Sequence, residues 1–372
     1  MKVIKKPKVL FLIPSVDAGG IETYLLRFIR FAQHELDIAV LVRNSARGDL
    51  YEQYAALGID MHFMPLGYYN PKNWLRYYQF FKAHEFDVVC DFNANFAGLP
   101  LMLANWAGIQ KRLVFYRQGR DHFDTGSLPK RLYSKAMNRL VYRNATGILS
   151  NSQANIDYFF ADKHSGDPRF HVIYNGVDAK VYSDISIDRI QLRKQLGIPT
   201  QAYVVGHSGR LDPTKNHNTI LDVATELIRR DPDYYFVFCG MNTERLQAEI
   251  DRRGISNNVK ALGFRTDVPL LLKSFDLFYF PSLTEGQPNA LIEALLAGLP
   301  FVASDIAPIR EILPENLKQY LVSPLDKTAA IKLIDQLRTS STYDTASTRD
   351  WATSFFSPVV RFEEFLNQIR ND

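Results

Sequence analysis

The residues best suited to chemistry lie in one segment, from Phe280 to Glu293. The segment follows an apolar, strand-like run and contains two carboxylates, Glu285 and Glu293. Glu285 precedes a predicted helix, and Glu293 lies about one and a half turns into that helix. Because carboxylates accept hydrogen bonds from hydroxyl groups, the two side chains are suited to hold a sugar or a ribose.

The start of the same helix is suited to bind an anion. Pro288 fits the first helical turn, where the missing N–H costs nothing. The next amides have no partner inside the helix, and the helix dipole adds positive charge at this end. We therefore expect a diphosphate beside Gln287 and Pro288, at the backbone amides of Asn289, Ala290 and Leu291.

The elements that carry this segment follow an alternating pattern of strands and helices. Apolar runs such as Lys8–Ile13 and Tyr203–Ser208 are continuous, and amphipathic stretches separate them. Continuous apolar strands between helices predict a parallel sheet that is covered on both faces. The pattern starts again in the second half, so we predict two doubly wound α/β domains, 1–176 and 177–354. The turn-forming pair Asn175-Gly176 marks the join.

Composition limits the class of protein. The chain has 372 residues, 46% of them hydrophobic, and a net charge of +4. The apolar run near the start is too short for a signal peptide, and no run could span a bilayer, so we expect a cytoplasmic protein. Cys90 and Cys239 both end strand-like runs, and we expect two buried, reduced thiols.

Several motifs together resemble one enzyme family. The segment 280–293 is similar to the Glu-x7-Glu motif of family 4 of the retaining glycosyltransferases. Further short motifs occur in the order of that family across nearly the whole chain, at 19–22, 151–152, 175–178, 209–215 and 263–268. The resemblance implies the GT-B fold, in which two Rossmann-like domains face each other across a cleft. It also implies that the last helix, within 355–372, returns to the first domain.

The resemblance further implies roles for individual residues. Arg210 and Lys215 should hold the diphosphate of a nucleotide sugar, Glu293 the ribose hydroxyls, and Glu285 the transferred sugar. Arginine and lysine are well suited to a leaving group whose negative charge grows. The remaining donor-binding residues implied by the family are Gly19, Gly20, Gly209, Phe264 and Arg265. The family usually works without a metal, and no cofactor is expected.

One position departs from the family. A histidine often ends a middle strand of the first domain there, whereas this chain has Arg117 and Gln118. The nearest histidine is His122. Either His122 reaches the site from its loop as a catalytic residue, or Arg117 has taken over its role. His122 could also be an ordinary surface residue.

The expected reaction is transfer of a sugar from a UDP- or GDP-sugar to a glycan or lipid-linked acceptor, in the synthesis of a bacterial surface polysaccharide. A nucleotide-sugar epimerase on the same fold is the main alternative. A dehydrogenase is disfavoured because the Gly-x-Gly-x-x-Gly fingerprint is absent. A non-catalytic nucleotide-binding module would bind the diphosphate without turnover. No nucleic-acid partner is expected.

The segment 111–143 is strongly basic, with nine Lys and Arg residues against Asp121 and Asp124. A helix in 128–143 is predicted to carry an apolar stripe that consists of Leu132, Tyr133, Ala136, Met137, Leu140 and Val141. Its basic face could meet an anionic membrane at the inner face of the cell membrane. Alternatively, the stripe packs on the domain and leaves a solvated basic face. An aromatic cluster in 68–81 is expected to pack in the core; alternatively, it stacks on acceptor sugar rings or lies at a membrane interface.

Overall fold

The structure is a computed structural model that describes residues 6–67, 70–121, 127–161, 163–183, 185–340 and 342–370. The chain divides into two compact units. Unit 1 comprises Met1–Asn175 and Val359–Asp372, and unit 2 comprises Gly176–Pro358.

Unit 1 is built on a parallel sheet of seven strands in the order β3-β2-β1-β4-β5-β6-β7. The strands are β1 (Lys8–Ile13), β2 (Asp37–Val42), β3 (Asp60–Phe63), β4 (Val88–Asp91), β5 (Lys111–Tyr116), β6 (Gly147–Ser150) and β7 (Phe170–Val172). The helices are α1 (Gly20–Ala32), α2 (Tyr51–Ala55), α3 (Pro71–His84), α4 (Gly98–Trp106), α5 (Leu128–Asn144) and α6 (Gln153–Phe160), with a short 3-10 helix at Ala94–Ala97. The central strands are buried on both faces, as their continuous apolar sequences predict.

Unit 2 repeats the plan with a parallel sheet of six strands in the order β10-β9-β8-β11-β12-β13. The strands are β8 (Tyr203–Ser208), β9 (Tyr234–Cys239), β10 (Val259–Ala261), β11 (Leu277–Phe280), β12 (Phe301–Ser304) and β13 (Leu321–Val322). The helices are α7 (Lys180–Ser183), α8 (Arg189–Gln195), α9 (His217–Arg230), α10 (Gln247–Arg252), α11 (Val268–Leu272), α12 (Asn289–Leu296), α13 (Ala307–Ile312), α14 (Lys327–Thr339) and α15 (Thr345–Phe355). Three 3-10 helices lie at Pro213–Lys215, Thr243–Leu246 and Glu315–Tyr320. The prediction of two parallel-sheet α/β domains is therefore confirmed.

The last helix, α16 (Pro358–Arg370), completes the core of unit 1. Phe365 lies 4.4 Å from Phe28 between ring centroids, and Phe362, Leu366 and Ile369 are buried in the same cluster. Cys90 and Cys239 are both buried free thiols. Within the described ranges, no helix combines the length and the apolar character needed to cross a bilayer.

The predicted apolar stripe of α5 is wrong in part. Leu132 is 57% exposed, whereas the buried residues of the helix are Ser134, Asn138, Val141 and Asn144. Polar side chains can face inward here because they find hydrogen-bond partners: Asn138 donates to Asn95, and Asn144 donates to the carbonyl of Leu140. Hydrophobic spacing alone could not reveal this face. In the aromatic segment, Tyr77 and Phe81 are buried in the core and Trp74 packs against it, while Tyr68 and Tyr69 lie outside the described residues.

Candidate active site

Two loops of unit 2 meet where the strand order of its sheet reverses. β8 and β11 are neighbours in the sheet although they are distant in sequence, and this kind of switch point is where ligands bind in open α/β sheets. The amide of Leu283 donates to the carbonyl of Thr214 at 2.8 Å, and Asn216 donates to the carbonyl of Pro281 at 3.1 Å. These bonds hold the loops after β8 and β11 together. We call residues 209–216 and 281–293 the switch-point site.

An ion pair joins two of the predicted catalytic residues in this site. The Nζ atom of Lys215 lies 2.5 Å from Oε1 of Glu285, and the two side chains are only 19% and 9% exposed. Nζ also lies 5.3 Å from the centroid of the Phe280 ring, on its face. The two residues were predicted from separate motifs, and the structure brings them into direct contact.

Arg210 lies at the exposed side of the same loop. Within the described residues its guanidinium has neither a hydrogen-bond nor an ion-pair partner, so its donors remain available to a ligand. Gly209 is partly buried next to it, and its amide donates to the carbonyl of Cys239 at 2.9 Å.

Gly240 lets the loops after β8 and β9 approach closely. Its φ is +140°, and a Cβ atom there would lie 2.2 Å from the carbonyl oxygen of Gly209. Only glycine is compatible with this contact. Gly240 was not predicted as a site residue, although its position directly after an apolar strand is a usable signal.

The start of α12 differs in one detail from the prediction. Pro288 is the N-cap rather than the first helical residue, and the amide of Asn289 is already donated to the carbonyl of Gln287 at 3.0 Å. The amide of Asn289 is therefore not an outward-pointing donor in this structure. Ala290 is half-buried and Leu291 fully buried at the first turn, where helical geometry leaves backbone amides without intrahelical partners.

Glu293 and Gln287 lie at different depths around that turn. Gln287 is buried, and Glu293 is half-buried on α12. Burial raises the pKa of the Cys239 thiol to about 11, and the nearby negative charge of Glu293 contributes to this shift. Glu293 therefore lies near the carboxyl end of β9, on the same edge of the sheet as the rest of the switch-point site.

The loop after β10 presents the two remaining predicted residues of unit 2. The ring of Phe264 is 63% exposed. Arg265 forms an ion pair with Asp267 at 2.6 Å, so its charge is already partly compensated. The amide of Gly240 donates to the carbonyl of Gly263 at 2.8 Å, which ties this loop to the loop after β9.

Two buried histidines behind Lys215 were missed by the sequence analysis. The rings of His207 and His217 are 4.9 Å apart, and Nδ1 of His207 lies 3.0 Å from the carbonyl oxygen of Tyr279. Burial lowers the pKa of His207 well below its usual range and that of His217 to about 4, and the positive charge of Lys215 adds to both shifts. Both rings are therefore neutral at physiological pH.

In unit 1, Gly19 and Gly20 lie at the start of α1. Gly19 is the N-cap, and a Cβ atom there would lie 2.2 Å from Oε2 of Glu22. The Glu22 carboxylate thus lies at the positive end of the helix, where it accepts from Ser15 at 3.3 Å; burial raises its pKa. A charge already in place at this helix end disfavours a phosphate beside Gly19 and favours hydroxyl groups.

Arg117 follows β5 on the same unit. Its guanidinium lies 3.6 Å from the centroid of the Tyr24 ring, and Nη2 donates to Oδ1 of Asn175 at 2.5 Å. Burial lowers the pKa of Arg117 to about 10, so the side chain keeps its charge at neutral pH. Nη1 is buried and has no partner among the described residues. His122 lies outside the described residues, so its role stays a prediction.

The described residues contain no group of three or more His, Cys, Asp and Glu side chains arranged to hold a metal ion. The positive groups of the switch-point site are instead the side chains of Arg210 and Lys215 and the end of α12. This arrangement suits a ligand that carries a diphosphate next to hydroxyl groups.

Family comparisons decide what kind of protein has this site. A family model described as Glycosyltransferase Family 4 matches residues 18–181, and one described as Glycosyl transferases group 1 matches residues 188–349. The two matches together span most of both units. The protein is a family 4-like glycosyltransferase.

Relatives and solved structures agree with this assignment. The glycosyltransferase is 24% identical over 298 residues to CapH of Staphylococcus aureus, a capsular polysaccharide biosynthesis glycosyltransferase, with 77% of this chain and 78% of CapH covered. It is 27% identical over 242 residues to the UDP-Gal:alpha-D-GlcNAc-diphosphoundecaprenol alpha-1,3-galactosyltransferase of Escherichia coli, with 63% of this chain and 62% of that protein covered. A crystal structure of HepE from Anabaena in complex with UDP-glucose superposes with a TM-score of 0.80 at 25% identity, with 97% of this chain and 99% of HepE covered.

The resemblance to family 4 and the GT-B fold are thus confirmed. The matches are to transferases and do not favour the epimerase alternative.

Proposed function

We propose that this glycosyltransferase moves a sugar from a UDP- or GDP-sugar to a glycan or lipid-linked acceptor, with retention of anomeric configuration and without a metal. The observation that carries the proposal is the contact between Lys215 and Glu285 at the switch point of unit 2. In this contact, a cation suited to a diphosphate and a carboxylate suited to sugar hydroxyls lie within one hydrogen bond of each other.

Arg210 and Lys215 are proposed to bind the diphosphate and to stabilise it as it leaves. Arg210 is exposed and has no partner within the described part of unit 2, so it can reach a ligand without breaking an existing bond. Lys215 would be shared between Glu285 and the diphosphate. Preorganised cations that face a growing negative charge typically contribute about 10²–10³ to the rate.

Glu285 and Glu293 are proposed to bind hydroxyl groups, Glu285 those of the transferred sugar and Glu293 those of the ribose. The exposed ring of Phe264 and the backbone at Arg265 are proposed to meet the base. The residues around the start of α12 are proposed to line the part of the site that holds the diphosphate; they are Gln287, Pro288, Ala290 and Leu291. The bond between Asn289 and Gln287 would have to rearrange before the amide of Asn289 could contact a phosphate.

Retention is proposed to follow from departure and attack on one face of the sugar. The bond between the anomeric carbon and the diphosphate oxygen breaks, and the acceptor hydroxyl oxygen attacks from the same side. The departing diphosphate accepts the hydroxyl proton, so no covalent enzyme intermediate forms. Gly19 and Gly20 of unit 1 are proposed to face the sugar, in line with the hydroxyl preference of that helix end.

The place of the reaction is inferred from the relatives. One is assigned to capsular polysaccharide biosynthesis, and another uses a diphosphoundecaprenol-linked acceptor. We infer that this enzyme also builds a bacterial surface polysaccharide, from the cytoplasmic side of the cell membrane. The exposed basic residues of α5, among them Arg131 and Arg143, are proposed to keep it near anionic lipid.

The test starts with the nucleotide. UDP and GDP are compared in a thermal-shift assay, where a ligand at 100 times its dissociation constant adds about 2.7 kcal/mol to the free energy of unfolding. The preferred UDP- or GDP-sugar is then incubated without acceptor, and ¹H NMR follows the anomer that slow hydrolysis releases. Initial release of the α anomer from an α-linked donor, unchanged by EDTA, supports the proposal. Three outcomes would contradict the proposal: release of the β anomer, loss of turnover in EDTA that added metal restores, or no stabilisation by either nucleotide.

A further inference from the structure

A second cavity, separate from the switch-point site, lies within unit 1. Its volume is about 690 Å³, which is in the range of small-molecule sites. It lies beyond the carboxyl ends of β4, β5 and β6, between α5, α6 and the residues that follow β5. None of the residues that the proposed function assigns to donor binding or to the reaction lines this cavity.

The inner wall of the cavity is a hydrogen-bonded network built around Asn95. Its Nδ2 atom donates to Ser134 at 2.9 Å and to Asp121 at 3.2 Å, and its Oδ1 atom accepts from Tyr116 at 2.9 Å and from Asn138 at 3.1 Å. Asn95, Ser134, Asn138 and Tyr116 are all at least nine-tenths buried. These bonds use the full capacity of the Asn95 amide, so the network is held in one arrangement.

Two acceptor groups of this wall face the cavity. Asn138 lines it, and its Oδ1 atom accepts no hydrogen bond from any described residue. The Asp121 carboxylate also lines it and accepts from Ser134 at 2.5 Å. A rigid wall that presents a carbonyl and a carboxylate suits the hydroxyl groups of a sugar ring.

The rim of the cavity is positively charged. Lys135 and Arg139 on α5 and Lys163 after α6 line it, and all three residues are exposed. Within the described part of the chain, no carboxylate lies within ion-pair distance of any of the three. Nζ of Lys163 also lies 5.3 Å from the centroid of the Tyr142 ring. Three cations that have no carboxylate partner among the described residues, beside a hydroxyl-binding wall, favour a ligand that is both a sugar and an anion.

Apolar surface continues from this rim. Leu132 and Tyr158 line the cavity and are 57% and 44% exposed. Exposed apolar side chains next to an anion site suit a ligand whose phosphate is attached to a hydrocarbon chain.

We propose that this cavity is the acceptor site and binds a sugar 1-phosphate or 1-diphosphate group. The ring hydroxyls contact Asp121 and Asn138, and the phosphate contacts Lys135, Arg139 and Lys163. The inference rests on the proposed function, because it assumes that the protein transfers a sugar to an acceptor. The phosphorylated sugar can come from a lipid-linked diphosphate sugar or from a free sugar phosphate, and both share this chemistry.

The experiment measures binding to the whole protein while the nucleotide site is saturated with UDP or GDP, whichever stabilises the protein in the thermal-shift assay. Isothermal titration calorimetry compares N-acetylglucosamine, N-acetylglucosamine 1-phosphate, inorganic diphosphate and a short-chain prenyl diphosphate-linked N-acetylglucosamine. The phosphorylated sugars should bind more tightly than the bare sugar and than inorganic diphosphate. The Lys135→Glu, Arg139→Glu double variant should weaken binding of the sugar phosphate by about tenfold or more, because two charge-assisted contacts become repulsive.

A matched control lies on the same helix. Arg131 and Arg143 are equally exposed on α5 but do not line the cavity. The Arg131→Glu, Arg143→Glu double variant has the same change in net charge and should keep the affinity within about twofold, since exposed charges at a distance are screened. Equal loss in both double variants would reduce the effect to general electrostatic attraction and overturn the proposal.

Asp121→Asn tests the hydroxyl-binding wall, because it should affect the two ligands differently. It removes a negative charge that repels phosphate, so inorganic diphosphate should bind no less tightly than to the wild type. It also weakens the contact with the ring hydroxyls, so the preference for the sugar phosphate over diphosphate should fall. A thermal melt within a few degrees of the wild type verifies the fold of the variant. An unchanged preference in a folded variant would remove Asp121 from the site.

The two possible failures are distinguishable. If UDP or GDP binds and no phosphorylated sugar binds in its presence, the cavity is not the acceptor site, whereas the proposed function stands. If neither UDP nor GDP binds, the proposed function fails first. If the prenyl-linked probe binds more tightly than the free sugar phosphate and Leu132→Ser lowers its affinity, the ligand is a lipid-linked sugar. If the two probes bind equally and Leu132→Ser leaves both affinities unchanged, the ligand is a soluble sugar phosphate.

Discussion

The ion pair between Lys215 and Glu285 makes a quantitative prediction about the stability of unit 2. Lys215→Met leaves the Glu285 carboxylate, whose side chain is only 9% exposed, without its cation. Removing one partner of a buried pair costs about 3–5 kcal/mol, and we expect about 3 kcal/mol here because Lys215 itself is 19% exposed. Each kcal/mol lowers the Tm of a domain of this size by about 2–4 °C, so the Tm of unit 2 should fall by about 6–12 °C.

Glu285→Gln should cost less, about 1 kcal/mol, because the amide oxygen can still accept from the ammonium group. The double variant should be more stable than the sum of the single losses by about 2 kcal/mol, since it leaves no uncompensated charge. Differential scanning calorimetry measures the four proteins of this cycle. Losses that add to within about 0.5 kcal/mol would show that the two side chains are not paired in solution.

A second ion pair in unit 2 is the matched control. Lys327 and Asp222 are also 2.5 Å apart, but the Lys327 side chain is 50% exposed. Lys327→Met should therefore cost less than about 1 kcal/mol. A loss as large as that of Lys215→Met would mean that burial does not determine the strength of these pairs.

The same variants separate binding from chemistry. Lys215→Met should weaken UDP binding, because it removes a cation from the proposed diphosphate site. Glu285→Gln should bind UDP at least as tightly, because it removes a like charge, and yet transfer the sugar more slowly. An unchanged UDP affinity in Lys215→Met would place the diphosphate elsewhere.

Three further predictions follow from other parts of the structure. Glu293→Gln should weaken UDP binding by about tenfold or more without lowering the Tm, because a hydrogen bond to a charged group contributes about 1.5–3 kcal/mol; calorimetric titration of UDP checks this, and an unchanged Kd would remove Glu293 from the site. Burial lowers the pKa of His217 to about 4, so the unfolded state binds more protons below pH 6.5 and the free energy of unfolding should fall by about 3 kcal/mol between pH 7 and pH 4. That part of the acid loss should disappear in His217→Gln and persist in the exposed control His34→Gln, as chemical denaturation at both pH values would show. Finally, the protein should float with anionic vesicles at low salt and not with neutral vesicles, and Arg131→Glu with Arg143→Glu should reduce flotation; equal, negligible flotation with both kinds of vesicle would leave α5 a structural helix.

Local pattern was sufficient to predict several strands of the two sheets. Lys8–Ile13 and Tyr203–Ser208 were predicted as strands, and both have these bounds in the structure. Their continuous apolar sequences are compatible only with burial on both faces, which is a local property of the chain. Open α/β sheets bind ligands at the loops that follow such strands, and the site residues predicted in unit 2 lie on or next to these loops.

Side-chain pairing, by contrast, depends on contacts between distant segments. Lys215 and Glu285 were assigned to one donor site from separate motifs, but their ion pair was not predicted, because the bonds between the loops after β8 and β11 arise only from the strand order of the sheet. The charge state of His217 likewise depends on burial behind Lys215, which no spacing of residues reveals.

The buried face of α5 could not be predicted from the sequence. Its basic composition could be read directly, but the hydrophobic spacing predicted a face that includes Leu132, which is exposed. The face that is buried instead carries Ser134 and Asn138, because Asn95 in the 3-10 helix after β4 and Asp121 in the loop after β5 satisfy their hydrogen bonds. Burial of a polar side chain costs free energy when the side chain has no hydrogen-bond partner, and this cost is why hydrophobic spacing usually identifies the buried face of a helix. Where a partner is present, the cost is offset and the spacing no longer identifies that face. The residue types were thus determined by the sequence, whereas the partners, and with them the cavity beside α5, were decided by the tertiary structure.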